Sequence, residues 1–271
     1  MLGIKHEQME ALRAQIAQIE KRPVLAEGAS LVRQEGEPGL LCAPGGLLHE
    51  VFTDERRNCG AALGFALAQA RGLMSPERPA ILFVQLMREA QDMGLPYGVG
   101  LKSFGIDPDS VVLTRVENIT EFLWAIEEAV GCRAVAAVVA DISSTPKALD
   151  FTASRRLSLR VQAAGTSVFL TRYGVGREAS AARLRWRVSP SLSGAVPFDA
   201  RAPGGPRWRV ELEKGRLSAA QRAGTDFLLD WTENGFVVVD SSTEGTPALA
   251  ERAPSPRAVP PALGDRLPQA S

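Results

Sequence analysis

The stretch HEVFTDERRNCGAALGFALAQA, residues 49–70, contains the first unit of the fold. An apolar segment that ends at Phe52 is followed by a short polar turn over residues 53–58. An alanine-rich run begins at Cys59, and Ala has the highest helix propensity of all residues. A helix that starts directly after a strand and a tight turn can point its free backbone N–H groups at an anion. Residues 49–70 therefore predict the strand–loop–helix frame of a P-loop.

A working P-loop needs particular residues as well as this frame. Gly at its first and sixth positions lets backbone amides face the phosphates, Lys meets the phosphate charge, and Ser or Thr holds magnesium. Counted from the end of the strand, these four positions hold Thr53, Asn58, Cys59 and Gly60. If Gly60 is taken as the sixth position instead, two alanines stand where Lys and Thr belong. Neither register retains the groups that hold ATP.

Strand and helix patterns alternate from residue 47 to residue 173, which predicts a parallel sheet with helices on its faces. Asn118, followed by Glu121 three positions later, is a capping-box pattern for the third of four predicted helices, and Gly165 closes the fourth. Residues 92–106, rich in Gly and Pro, are predicted to be irregular. The strands are predicted at 47–52, 79–86, 109–116, 133–142 and 166–173, and the helices at 5–21, 59–72, 118–131 and 150–164.

The pattern changes after residue 173. The stretches RLRWRV, residues 183–188, and RWRVEL, residues 207–212, alternate strictly, with Trp186 and Trp208 on the apolar side and arginines on the other. DFLLDW and GFVVVD, joined by Glu-Asn-Gly, predict a further hairpin. Together these stretches predict antiparallel strands added to the parallel sheet. We expect an N-terminal helix and linker at 1–38, one core domain at 39–242, and a disordered Pro-rich tail at 243–271.

Charge is segregated along the chain although the total is zero. Residues 151–222 hold 14 Lys and Arg against four Asp and Glu, and 13 of those cations are arginines. Arginine suits carboxylate and phosphate because its guanidinium is a planar donor fork. The surplus predicts a surface for nucleic acid or for an acidic protein, with a merely solvated basic face as the alternative. The candidate residues are Arg155, Arg156, Arg160, Arg183, Arg185, Arg187, Arg207 and Arg209.

Several classes of protein are disfavoured by composition. No run of 18 or more uncharged apolar residues occurs, and the N-terminus lacks a signal-peptide core, so we expect a cytoplasmic protein. The three cysteines and two histidines stand apart, which favours neither a metal site nor disulfides. No GxSxG or HExxH motif is present, so a hydrolase has no support.

The ordered set of segments resembles the ImuA family of damage-inducible mutagenesis proteins, which some classifications label SulA-like. The resemblance covers roughly residues 40–214, and LDFTASRRLSL beside the paired Trp strands is its most specific part. It is carried by GGLLHEVF, GIDPDSVVLTRVENITEFLWAIEEAV, AVAAVVADI, LDFTASRRLSLRVQAAGTSVFLTRY, AARLRWRVSPS and GPRWRVELEKGR.

The resemblance implies a degenerate RecA-like core and an accessory role in SOS-induced translesion synthesis. It implies as partners ImuB, a Y-family polymerase homologue without catalytic residues, together with RecA and an error-prone C-family polymerase. Weak DNA binding is a further expectation, although the segments 142–151 and 174–183 are short and offer no aromatic stacking.

Comparison with RecA-like enzymes also bears on catalysis. Asp141 stands at the Walker-B position, where an aspartate of such an enzyme would support magnesium. Glu89 is the carboxylate nearest to the position of the catalytic glutamate, but it lies too many residues after the strand to match it. We therefore expect a retained fold without ATPase activity, without cofactor and without a catalytic residue. Two alternatives stay open: a SulA-like division inhibitor that binds FtsZ, and a residual RecA-like ATP-binding protein.

Overall fold

The structure, a computed structural model, describes residues 40–41, 45–143, 146–196, 199–215 and 226–239. Their helices are α1 (Cys59–Arg71), α2 (Met87–Met93), α3 (Gly98–Ser103), α4 (Ile119–Gly131) and α5 (Phe151–Ala164), with short 3₁₀ turns at Arg56–Asn58 and Pro108–Ser110. Their strands are β1 (Leu40–Leu41), β2 (Leu48–Thr53), β3 (Ala80–Leu86), β4 (Val111–Val116), β5 (Val135–Ile142), β6 (Ser167–Tyr173), β7 (Leu184–Ser191), β8 (Ala195–Val196), β9 (Asp199–Pro203), β10 (Arg207–Lys214), β11 (Asp226–Thr232) and β12 (Gly235–Val239).

Ten of these strands form one sheet in the order β1-β12-β11-β10-β7-β2-β6-β5-β3-β4. The six strands from β7 to β4 in this order are parallel, and β10, β11, β12 and β1 extend the sheet in antiparallel fashion. The predicted fold class is therefore confirmed: an α/β protein with a mostly parallel sheet flanked by helices and antiparallel strands at its C-terminal end. Strand β2, the strand of the predicted P-loop frame, lies in the interior of this sheet.

Each face of the sheet has its own apolar core. Helix α1 covers one face, where its Phe65 packs with Trp186 and Phe236. Helices α4 and α5 cover the other face through side chains such as Phe122 and Leu157. The central strand β5 is buried along its whole length, as a strand covered on both faces must be.

Local signals placed the helix ends correctly. The Asn118 side chain accepts a hydrogen bond from the Glu121 N–H at 3.0 Å, as the capping pattern predicted, although the Glu121 carboxylate returns to the Glu117 N–H rather than to the N–H of Asn118. Gly165 ends α5 in the left-handed region, with φ of 69°. The hairpin from β11 to β12 turns at Glu233 and Asn234, also as predicted.

The prediction that residues 92–106 are irregular was partly wrong. It contains the short helix α3, whose Leu101 is buried in the α1-side core together with Ile106. Glycine weakens a helix, but the burial of apolar side chains overrides propensity here. The predicted N-terminal helix and linker over 1–38 and the tail over 243–271 lie outside the described residues. No helix of the described part of the chain is long and apolar enough to cross a membrane.

Candidate functional site

The turn after β2, where the sequence predicted a P-loop frame, contains two acidic and two basic residues, Asp54, Glu55, Arg56 and Arg57. Thr53 is buried at the end of β2, and α1 begins at Cys59 after one 3₁₀ turn, with no side-chain cap from Asn58. Gly60 lies exposed in the first turn of α1. The turn thus places the four P-loop positions around the start of α1, and none of them supplies a cation.

The carboxylate of Asp54 occupies this turn and is held by two arginines from other segments. Arg177 donates to Asp54 at 2.7 Å, and Arg187 of β7 donates to it at 3.4 Å. Partial burial acts to raise the pKa of Asp54, but the hydrogen bonds and charges of Arg177 and Arg187 outweigh it and lower that pKa. Asp54 therefore carries its charge at neutral pH, next to the helix end where a phosphate would have to sit.

A small cleft of about 160 Å³ opens beside this turn. Four carboxylates and two guanidiniums belong to the residues that line it, and Arg57 and Arg177, just outside the lining, pair with Glu55 and Asp54, so each carboxylate has a cationic partner. Its lining comprises Thr53, Asp54, Glu55, Asn58, Arg187, Val188, Ser189, Arg209, Glu211 and Asp226.

Asp141, the Walker-B-like residue, lies at the end of β5 and is 2% exposed. Thr171 donates a hydrogen bond to its carboxylate at 2.6 Å, Gln85 donates at 2.7 Å, and the Tyr173 hydroxyl donates as well. Burial raises the pKa of Asp141, and these three hydrogen bonds only partly offset the effect. The side chains of this chain thus occupy the oxygens that a metal ion would need.

Glu89 lies near this cluster, in the first turn of α2. It is 6% exposed and accepts the Ser143 N–H at 2.9 Å. Its charge adds to the upward shift of the Asp141 pKa. The described residues contain no group of three His, Cys, Asp or Glu side chains that could hold a metal ion.

A buried ion cluster that the sequence did not predict lies next to the turn, around Phe52 of β2. Three guanidiniums, those of Arg172, Arg177 and Arg185, stand within 5.6 Å of the centre of its ring. Glu50, two residues earlier on the same strand and 2% exposed, accepts from Arg185 at 2.9 Å. A charged residue inside an otherwise apolar strand was the available signal, because a buried carboxylate requires a partner.

The predicted arginines of the sheet each lie beside a carboxylate, with one exception. They stand on the side of β7 and β10 opposite Trp186 and Trp208, whose rings are in the α1-side core. The pairs are Arg185 with Glu50, Arg187 with Asp54 and Glu211, Arg207 with Asp230, and Arg209 with Asp226. Arg183 is exposed and makes no ion pair with the described residues.

The predicted arginines of α5 form a second, separate group. Arg156 and Arg160 both pair with Glu127 of α4, at 2.7 and 3.1 Å. Arg155 is exposed and, like Arg183, has no carboxylate partner among the described residues. The structure thus divides the eight candidates between a sheet surface and a helix surface, and six of them lie in ion pairs within the chain.

Fold and site together define a class: an α/β protein with a mostly parallel sheet, a turn between β2 and α1, and a buried ion cluster beside that turn. No model of a protein family matches the chain. It is similar to Protein ImuA from two strains of Caulobacter vibrioides, with 35% identity over 216 residues in each case. The match covers 70% of this chain and 83% of each relative. The chain belongs to the ImuA family.

Proposed function

We propose that the chain is a non-catalytic accessory protein of the DNA-damage-inducible mutagenesis system. In this role it contributes binding surfaces to the translesion synthesis complex and does not hydrolyse ATP. Membership of the ImuA family supports the role in mutagenesis. The observation that carries the non-catalytic part is the carboxylate of Asp54, which Arg177 and Arg187 hold at the start of α1.

Two features of the site support the absence of ATP chemistry. The turn supplies no Lys for the phosphates, and a charge-assisted hydrogen bond of that kind contributes about 1.5–3 kcal/mol. The Asp141 carboxylate accepts hydrogen bonds from Thr171, Tyr173 and Gln85, so a magnesium ion would have to displace them. A residual ATP-binding function is therefore the weaker alternative.

The primary partner in this proposal is an ImuB-type inactive homologue of a Y-family polymerase. RecA and an error-prone C-family polymerase are further partners, with weak DNA binding in addition. The paired arginines of the sheet suit a protein surface with its own carboxylates better than a phosphate backbone. Carboxylates lie beside these arginines, so a phosphate backbone would meet negative charge at this surface as well as the guanidiniums.

The direct test is titration calorimetry of the full chain with ATP and Mg²⁺. We expect no saturable heat of ATP binding. The Asp54→Ala variant is titrated as a control, since it would bind ATP if the Asp54 carboxylate alone blocked the site. ATP binding by the unaltered chain, with hydrolysis lost when residues 53–60 are changed, would overturn the non-catalytic proposal.

The accessory role is tested separately by co-purification with an ImuB homologue and by the mutation frequency of a deletion strain after DNA damage. Normal damage-induced mutagenesis in that strain would contradict the proposal. The SulA-like alternative predicts filamentous cells on overexpression, whereas the accessory role predicts unaltered septation.

A further inference from the structure

Trp124 differs from the other tryptophans of the chain. Trp186 and Trp208 are buried in the core, and Trp231 donates its indole N–H to the Ser103 carbonyl at 3.0 Å. Trp124 lies on α4 with 64% of its surface exposed. Among the described residues no acceptor meets its indole N–H. An exposed Trp is costly to leave in water and is the residue type most enriched among binding hot spots.

The surface around Trp124 is formed by α4 and α5, which lie side by side on one face of the sheet. Glu127 of α4 pairs with Arg156 and Arg160 of α5, so these ion pairs join the two helices into one continuous face. Leu159 of α5 is also half exposed on this face. We call this surface, formed by the outward residues of α4 and α5, the α4–α5 face.

The two halves of the α4–α5 face carry opposite charges. Helix α5 contains three arginines and no carboxylate, while α4 contains three glutamates and no cation. Within the face Glu127 is already paired, but Glu128 of α4 and Arg155 of α5 have no oppositely charged partner among the described residues. An acidic stripe and a basic stripe therefore flank the exposed apolar groups.

This pattern is self-complementary. A twofold axis that lies in the face and runs along the helices places α4 of one protomer against α5 of its partner. Acidic and basic stripes then meet twice, as an isologous interface requires. An axis perpendicular to the helices would instead place α4 against α4 and bring like charges together.

We propose that the α4–α5 face binds a second copy of this chain in a twofold symmetric dimer. Trp124 of each protomer packs against α5 of the partner, near Leu159. Glu128 of each protomer lies near Arg155 of the other protomer. The two charges that have no partner within one chain are thus paired across the interface.

The size of the face predicts how strong this dimer is. Helices of 13 and 14 residues are each about 20 Å long, and two helices packed about 10 Å apart present a face about 20 Å square. Such a dimer buries about 800 Å² in total, which is below the range for stable specific complexes and typical of weak, transient ones. We expect a reversible dimer whose dissociation constant lies in the micromolar range.

Sedimentation equilibrium of the full chain over a range of concentrations tests the proposal. We expect a monomer–dimer equilibrium, and Trp124→Ala should weaken the dimer about 30-fold, as removal of a hot spot does. Tyr97→Ala is the matched control, because Tyr97 is an exposed aromatic residue, at 74%, outside the face. Circular dichroism of each variant verifies that its helices are intact.

A charge exchange gives the sharper test. Glu128→Arg alone and Arg155→Glu alone should each be monomeric, since each homodimer would contain two like-charge contacts. When the two variants are mixed, every contact across the interface becomes complementary, so a heterodimer should form. A chain that stays monomeric, a Trp124→Ala variant that dimerises normally, or a mixture without heterodimer would overturn the proposal. Binding of a different protein to this face of a monomeric chain would overturn it as well.

Discussion

Asp141 ends β5 at the edge of the sheet where open α/β folds bind ligands. In this chain the residue is 2% exposed and accepts hydrogen bonds from Gln85, Thr171 and Tyr173. The buried Oε1 of Gln85 has no hydrogen-bond partner in the described structure. A protonated Asp141 would fit here, because its O–H could donate to that oxygen after the Gln85 amide turns over.

The raised pKa of Asp141 makes the stability of the fold depend on pH. Unfolded Asp titrates near pH 3.9, while the folded chain holds the proton to higher pH. The stabilisation by this proton is therefore complete below about pH 3.9 and is lost as pH rises through the folded pKa. As the pH rises through the folded pKa of Asp141, we expect the free energy of unfolding of the unaltered chain to decrease. The decrease should be smaller in the Asp141→Asn variant.

Urea denaturation of both proteins, followed by circular dichroism from about pH 4 to pH 8, measures this difference. Asp54 does not affect the comparison in this pH range. Its pKa is lowered, so its contribution to the free energy of unfolding is lost only as the pH falls below this range. Parallel pH profiles for the two proteins would show that Asp141 does not titrate in this window.

Arg177 connects three elements that are distant in sequence. It donates to Asp54 in the turn after β2 and to Glu213 of β10, at 2.7 and 2.8 Å, and its guanidinium stands 4.2 Å from the ring centre of Phe52. The Glu213 and Asp54 contacts raise the pKa of Arg177 against the opposing effect of burial. At the level of elements, this side chain attaches the antiparallel part of the sheet to the turn that joins β2 to α1.

Replacement of Arg177 by Met should therefore destabilise the fold by about 1.5–3 kcal/mol, the range for hydrogen bonds to charged groups. The loss leaves Asp54 and Glu213 close together without their shared cation. Arg183→Met is the control, because Arg183 is exposed and has no ion pair among the described residues; it should change stability by less than about 0.5 kcal/mol. Equal effects of the two changes, measured by urea denaturation, would contradict this account.

At the scale of the molecule, most of the predicted arginines in the described part of the chain lie beside carboxylates. The chain has 31 basic and 31 acidic residues, and most of the arginines predicted as a binding surface lie within ion pairs. The basic surplus of residues 151–222 is thus partly cancelled by carboxylates from other segments, such as Glu50 and Glu127. Segregation of charge along the sequence does not produce an equally strong segregation on the surface.

Binding to single-stranded DNA should accordingly be weak and only moderately sensitive to salt. If Arg155 and Arg183 alone contact phosphates, the slope of log K against log salt should be about −1.4, from roughly 0.7 per phosphate. Fluorescence anisotropy with a labelled oligonucleotide at several salt concentrations measures the slope. A slope several times steeper would show that the paired arginines exchange their carboxylates for phosphate.

The sequence by itself determined the order and type of most elements, because hydrophobic periodicity and caps such as Asn118 and Gly165 act over a few residues. It also determined that residues 53–60 lack the phosphate-binding groups, since that is a matter of residue identity. The short helices α2 and α3 and the short strands β1, β8 and β9 were not predicted; in α3, burial of Leu101 overrode the glycines.

Only the tertiary structure decided the partners of the charged side chains. Asp54 and Arg177 are 123 positions apart, and Glu50 and Arg185 are 135 apart, so no local pattern joins them. The exposure of Trp124 likewise depends on how α4 packs against the sheet. Pairing and burial arise from long-range contacts, which is why the arginine pattern predicted a charged surface but not the carboxylates that neutralise it.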